Sequence, residues 1–187
     1  MKKVNARRML KEAAYEIVSR KAVEQVSVRE IVDAAEISKQ TFYRYYKDKY
    51  ELVNEIYYEL FQKDIIIPEK FVKEDDWRKI YLQQFSAFRE HLDFVRHLFT
   101  SRETGCTLDY EIELTIWFDK EILKRKGVDI TDPRILFGIE AKDVGGTFVM
   151  RDWIIGGMQV EDEEMVKRFE LIIPQILVPF YFPEKTR

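Results

Sequence analysis

The 187-residue sequence has only one cysteine, two histidines, seven glycines and five prolines. A single thiol, Cys106, excludes an intrachain disulfide and any zinc site built from several cysteines. So little glycine and proline leaves few of the turns that an all-β fold requires. His91 and His97 are six residues apart, about 240° around a helix, so they cannot grip one metal from one face. No run of about 18 apolar residues occurs, and a membrane-spanning helix is therefore not expected. The N-terminal MKKVNARRML is basic but lacks the apolar core of a signal peptide. The expected location is the cytoplasm. Neither a G-x-S-x-G nor a P-loop or dinucleotide fingerprint appears. Acid pairs such as Asp109 with Glu113 have the spacing of a solvated helix face. The sequence thus offers no active site, no metal site and no cofactor site.

What is present is 46% hydrophobic and 35% charged residues, the balance of a helix-rich globular chain. The formal charge of −3 is unevenly distributed. Residues 1–50 hold 12 Lys and Arg against 7 Asp and Glu, and the excess of acid lies entirely beyond them. A basic segment on an acidic body is the electrostatic footprint of a site-directed nucleic-acid binder.

The densest local signals lie between Ser27 and Leu52. Ser27 with Glu30 forms a capping box ahead of Val28, Ile31, Val32 and Ala35. Ser38 caps a second short helix that places Phe42 and Tyr46 on one side, and Asp48 with Glu51 opens a third. Two short helices joined by a tight turn, the second rich in donors and aromatics, read as a helix-turn-helix. A preceding helix is expected over 5–21, with Leu10, Ala13, Ala14, Ile17 and Val18 as its apolar stripe. Lys2, Lys3, Arg7, Arg8 and Lys11 load its beginning with charge of the wrong sign for the helix dipole, a conflict that a nearby phosphate would remove.

Residues 10–60 resemble the DNA-binding domain of the tetracycline-repressor (TetR) family. The resemblance rests on Ser27-Val28-Arg29-Glu30-Ile31, Ala34-Ala35, Ile37-Ser38-Lys39, Thr41 to Tyr46, Lys49 and Leu52. Ala22 and Glu36 stand where the family often has glycine. A left-handed backbone at Glu36 would cost about 1 kcal/mol. The resemblance implies a recognition helix over 38–46 that enters the major groove, with Ser38 at its start. Lys39, Gln40, Thr41 and Tyr45 are then candidates for base edges, and Arg29, Tyr43, Arg44 and Lys49 for phosphates.

The fourth helix, from Asp48 to about Lys63, buries Leu52, Val53, Ile56, Leu60 and Phe61. Pro68 and the charges around it mark a connector over 64–74, between a DNA-binding domain (1–63) and a second helical domain (75–187). Helices are expected from Asp75, from Thr107 as a cap, from Asp132-Pro133 to about Ile155, and over 161–178. Lys124 to Lys126 followed by Gly127 end the Thr107 helix. Gly138, Gly145 and Gly146 inside the Asp132 helix suggest close helix approach, room for a bound molecule, or a local break.

The second domain carries many aromatics, of which Phe85, Phe88, Trp117 and Phe148 are candidates for a ligand pocket. By architecture alone, the resemblance implies an inducer pocket in this domain and pairing of the last two helices with a second subunit. The whole reading is an all-α, two-domain homodimeric repressor that a small molecule releases from a palindromic operator. A protein-interaction module with a retired helix-turn-helix, or a small helical enzyme, are the alternatives. Coupling is expected through the fourth helix alone, with Tyr57, Leu60 and Phe61 against the segment 94–99.

Overall fold

Amphipathic periodicity and well-placed caps produce helix after helix in the computed structural model, which describes residues 3–74 and 76–182 and the side chains of 6–72 and 76–182. The helices are α1 (Lys3–Val18), α2 (Val28–Ala34), α3 (Lys39–Tyr43), α4 (Lys49–Phe61), α5 (Pro68–Glu74), α6 (Trp77–Glu90), α7 (Leu92–Phe99), α8 (Thr107–Arg125), α9 (Pro133–Ile155), α10 (Asp162–Leu171) and α11 (Val178–Tyr181). A 3₁₀ turn at Val23–Gln25 precedes α2. Lys2, the Lys3 side chain and the expected helix start at Asp75 lie outside the described residues.

The anticipated caps form at four helix starts. Glu30 N–H donates to Ser27 Oγ at 3.2 Å while Ser27 N–H donates to the Glu30 carboxylate at 2.9 Å. Thr41 N–H donates to Ser38 Oγ, Glu51 N–H to Asp48, and Arg134 N–H to Asp132. Thr107 is not a cap. It is the first residue of α8, and its hydroxyl donates to Asn54 Oδ1 at 2.8 Å, tying α8 to α4. At the other end of α8, Gly127 takes a positive φ of 78° and Val128 N–H bonds back to Leu123 O, a Schellman ending.

The turn between α2 and α3 closes in the same way. Ile37 N–H donates to Val32 O and Glu36 N–H to Asp33 O, with Glu36 at φ 53°. Glu36 therefore does occupy the left-handed position, where a Cβ is unfavourable by roughly 1–2 kcal/mol. Ala22, with φ −54°, does not, so alanine there carries no strain. Replacing Glu36 with Gly is expected to raise the unfolding free energy by about 1 kcal/mol. A urea midpoint unchanged or lowered would show that the turn depends on the Glu36 side chain.

The glycine-containing helix α9 is unbroken. A Cβ on Gly138 would lie 3.1 Å from Ile176, and one on Gly146 would lie 3.3 Å from Ile172 and 3.4 Å from Phe169. These two glycines let the chain of α10 and beyond approach closely, and no break occurs. The segment 64–74 is likewise more than a connector, because α5 packs on α8 and buries Phe71 against Phe118.

The main core runs from Ala6 to Phe182, and Leu123, Ile135, Ile139 and Leu177 form a second, smaller cluster. The N-terminal helices join it at α1 and α4. Tyr57 of α4 meets the rings of Phe88, Phe99 and Tyr110, while Phe61 meets Phe88 and His91. Leu60, expected in this contact, is exposed. Helix α1 is a second link: Tyr15 Oη lies 2.8 Å from His91 Nδ1, and His97 Nδ1 lies 2.7 Å from Val18 O. The fourth helix is thus not the sole contact between the two halves, and both histidines serve it.

Candidate nucleic-acid interface and buried polar cavity

Helix α3 is shorter than expected, five residues followed by a turn in which Tyr45 and Tyr46 N–H both bond to Phe42 O. Phe42 and Tyr46 are buried beneath it, which orients the opposite side outward. Ser38, Lys39, Gln40, Tyr43 and Arg44 are exposed, with Tyr43 at 57%, and Thr41 and Tyr45 are half-buried. Arg44 lies over the Tyr45 ring, 5.9 Å from its centroid. Arg29, on α2, is exposed and only loosely paired with Asp33 at 3.5 Å. Of the nine candidate positions, six are exposed and two, Thr41 and Tyr45, are half-buried.

The ninth is Lys49. Its ammonium donates to Glu24 O at 3.1 Å and Val26 O at 3.0 Å, closing the chain between α1 and α2. Its first task is to hold that loop. The charge expected to await a phosphate at the start of α1 is also partly engaged. Arg7 donates to Glu55 and to Tyr46 Oη, and Lys11 pairs with Glu55 and Glu59. Burial alone would raise the Glu55 carboxyl, but hydrogen bonds from Arg7 and Lys11 bring it below its ordinary value. The α1 conflict is thus resolved largely by α4. Sequence spacing gives no sign of this, because the partners are 48 residues apart.

The four ligand-pocket candidates do not converge. Phe85 and Phe88 are fully buried in the core, whereas Trp117 and Phe148 are 48% and 37% exposed. They sit on three helices, Phe85 and Phe88 on α6, Trp117 on α8 and Phe148 on α9, and only the α6 pair faces the core. The enclosed space lies elsewhere, as two adjoining cavities of about 40 and 60 Å³. Trp77, Tyr81, Gln84, Glu111, Lys142 and Asp143 line both.

Apolar surface makes up most of that wall, but a cluster of buried polar groups interrupts it. Glu111 accepts from Gln62 Nε2 at 3.0 Å and Gln84 Nε2 at 3.2 Å. Burial pushes its carboxyl up to about 7, against the hydrogen bonds from Tyr57, Gln84 and Gln62. Lys142 Nζ lies 2.7 Å from Asp119 and 2.5 Å from Asp143. Burial would lower the Lys142 ammonium, but the two carboxylates carry it well above its ordinary value. The Asp143 carboxyl rises to about 7 through burial and the charge of Asp119, opposed by Lys142. The sequence signal for this cluster was weak: Glu111, Asp119 and Lys142 fall where the apolar stripes of α8 and α9 run, and only their burial separates them from surface charges.

A pH dependence follows from Glu111. The carboxyl ordinarily titrates at 4.5, so between that pH and about 7 the folded chain keeps a proton that the unfolded chain has lost. Stability then falls as pH rises through this window and levels off above it, by about 3 kcal/mol for the full shift. In Glu111→Gln the decline from pH 5 to pH 8 is expected to be markedly smaller. Identical pH slopes in urea unfolding of the two proteins would refute the perturbed carboxyl.

Residues 10–56 match the family model for bacterial regulatory proteins, tetR family. No curated protein matches the chain in sequence. Among solved structures, the dihydroxyacetone kinase operon activator DhaS is 20% identical, covering 92% of this chain and 97% of its own, with a TM-score of 0.57. A Clostridium perfringens protein named as a candidate fatty acid metabolism regulator is 17% identical over 88% of this chain and 96% of its own, with a TM-score of 0.47. The likeness to DhaS extends the shared fold beyond the matched segment to the C-terminal helices. The chain thus carries the helix-turn-helix domain of the bacterial tetR family of regulatory proteins.

Proposed function

We propose that the protein is a cytoplasmic transcriptional regulator that binds a palindromic operator as a homodimer and responds to a small molecule. The observation that carries this reading is the outward face of α3, where Lys39, Gln40, Tyr43 and Arg44 stand exposed above the buried Phe42 and Tyr46. Their exposed polar groups suit base edges and phosphates. Residues 1–63 form the DNA-binding domain in this reading, 75–187 the regulatory domain, and 64–74 the segment between them. Occupying the duplex is enough to exclude another protein, so repression is the mode proposed.

Dimerisation is supported by an apolar stripe on α9. Phe137, Val144 and Phe148 recur at intervals of seven and four, and Phe137 is 73% exposed. Leu171 at the end of α10 is 83% exposed, and Ile172 beside it is also open. Pairing these faces across a two-fold axis would bury them in a four-helix interface.

Selection of bound sequences from a random DNA pool tests the function. The expected result is one enriched near-palindrome, with Gln40→Ala losing about 1–3 kcal/mol at a single base position. A pool that shows no enrichment would reject the reading. Sedimentation tests the assembly, and a stable monomer at micromolar concentration would reject the dimer.

A further inference from the structure

The wall shared by the two cavities carries more acid than the protein neutralises. Glu111 and Asp143 line both cavities and Asp119 the larger one, and Lys142 is the one cation among the lining residues. Lys142 is already engaged by Asp119 and Asp143. Glu111, fully buried, receives donors from the neutral amides of Gln62 and Gln84. Several polar atoms of these lining residues are buried without a hydrogen-bond partner: Asp143 Oδ2, Gln62 Oε1, the Tyr181 hydroxyl and the Trp77 indole N–H. Asp143, Gln62 and Trp77 are each more than nine-tenths buried. Orphaned groups on a cavity wall are what a bound polar molecule satisfies. Trp77, Tyr81 and Phe118 supply aromatic lining beside these groups.

We propose that this cavity is the effector site and that the effector is a small molecule carrying a protonated nitrogen, seated against Glu111 and Asp143. The proposal rests on the reading of the chain as a ligand-responsive regulator and names the ligand chemistry. A protonated nitrogen supplies the missing positive charge and donates to the orphaned acceptors, while the Trp77 and Tyr181 donors remain for a hydroxyl or carbonyl elsewhere on the molecule. An anion would meet three acidic side chains, two of them already raised to about 7 by burial, against one ammonium in a low-dielectric site. Each cavity has room for about four waters, which limits the effector to roughly five to ten heavy atoms.

The same carboxylate reaches the DNA-binding half. Gln62, which caps the C-terminal end of α4, donates to both Glu111 oxygens at 3.0 Å. An ammonium at Glu111 competes with that amide and so alters how the end of α4 is held.

The full chain is tested by thermal shift with millimolar 1,4-diaminobutane and 2-aminoethanol, against 1,4-butanediol and succinate. The expected result is a raised Tm with the cations alone, and an affinity about 10- to 100-fold lower in both Glu111→Gln and Asp143→Asn. Equal stabilisation by the diol or succinate, no shift with either cation, or full affinity in both variants would overturn the ligand class. Gel shift scores DNA binding separately. Cation binding that leaves DNA affinity unchanged would overturn the effector role. A chain that binds the cations but no DNA would refute the regulatory reading and leave the ligand chemistry standing.

Discussion

Raising salt from about 50 to 200 mM is expected to weaken operator binding about a thousandfold. The figure follows from the exposed cations on the helix-turn-helix surface. Arg29, Lys39 and Arg44 give six in a dimer, and neutralising about six phosphates gives a log–log slope near −5. The body beyond residue 50 is acidic, so little compensating nonspecific attraction comes from it. Arg44→Ala is expected to reduce the slope by about 2, one phosphate contact per protomer. Lys49→Ala behaves differently, since Lys49 holds the carbonyls of Glu24 and Val26. It is expected to lower stability along with DNA affinity. Titrations at several salt concentrations, with melting curves in parallel, separate the two effects. A slope near zero for the wild type would reject phosphate binding by this surface.

Lys142→Met is expected to cost about 3–5 kcal/mol of stability, a large part of what a domain of this size has. The side chain is nearly isosteric, so the loss comes from charge. Without the ammonium, Asp119 and Asp143 stand buried beside one another with no counter-charge. The expected fall in Tm is about 10 °C. The sign of its pH dependence is also determined. The Asp143 carboxyl is already raised to about 7, and losing Lys142 raises it further, so protonation relieves the repulsion as pH falls. The defect should therefore be larger at pH 8 than at pH 5. Adding Asp119→Asn and Asp143→Asn to Lys142→Met is expected to recover much of the loss. A defect that is independent of pH, and not recovered in that triple variant, would mean that Lys142 acts by packing alone.

The helix-turn-helix was legible in the sequence because its determinants are local. Ser27 and Glu30, Ser38 and Thr41, and Asp48 and Glu51 are each three residues apart, and each pair closes the hydrogen bond that its spacing implies. The strained turn at Glu36 could be anticipated for the same reason, since a Schellman ending is set by its own six residues. Arg7 with Glu55 and Lys49 with Glu24 were not legible, because nothing in spacing relates residues 25 or 48 positions apart.

In the C-terminal half, periodicity located the helices but did not assign their faces. Phe85, Phe88, Trp117 and Phe148 are equally apolar in sequence, yet two lie in the core and two at the surface. The polar cavity was missed for the converse reason. Glu111, Asp119, Lys142 and Asp143 look like solvated charges until α8 packs on α9 and removes them from water. The sequence by itself determined the all-helical class, four of the expected caps and the helix-turn-helix, which depend on contacts within one or two turns of chain. Tertiary structure decided which charges are buried, which aromatics face outward and how α4 meets Glu111, because those depend on how separate helices lie against one another.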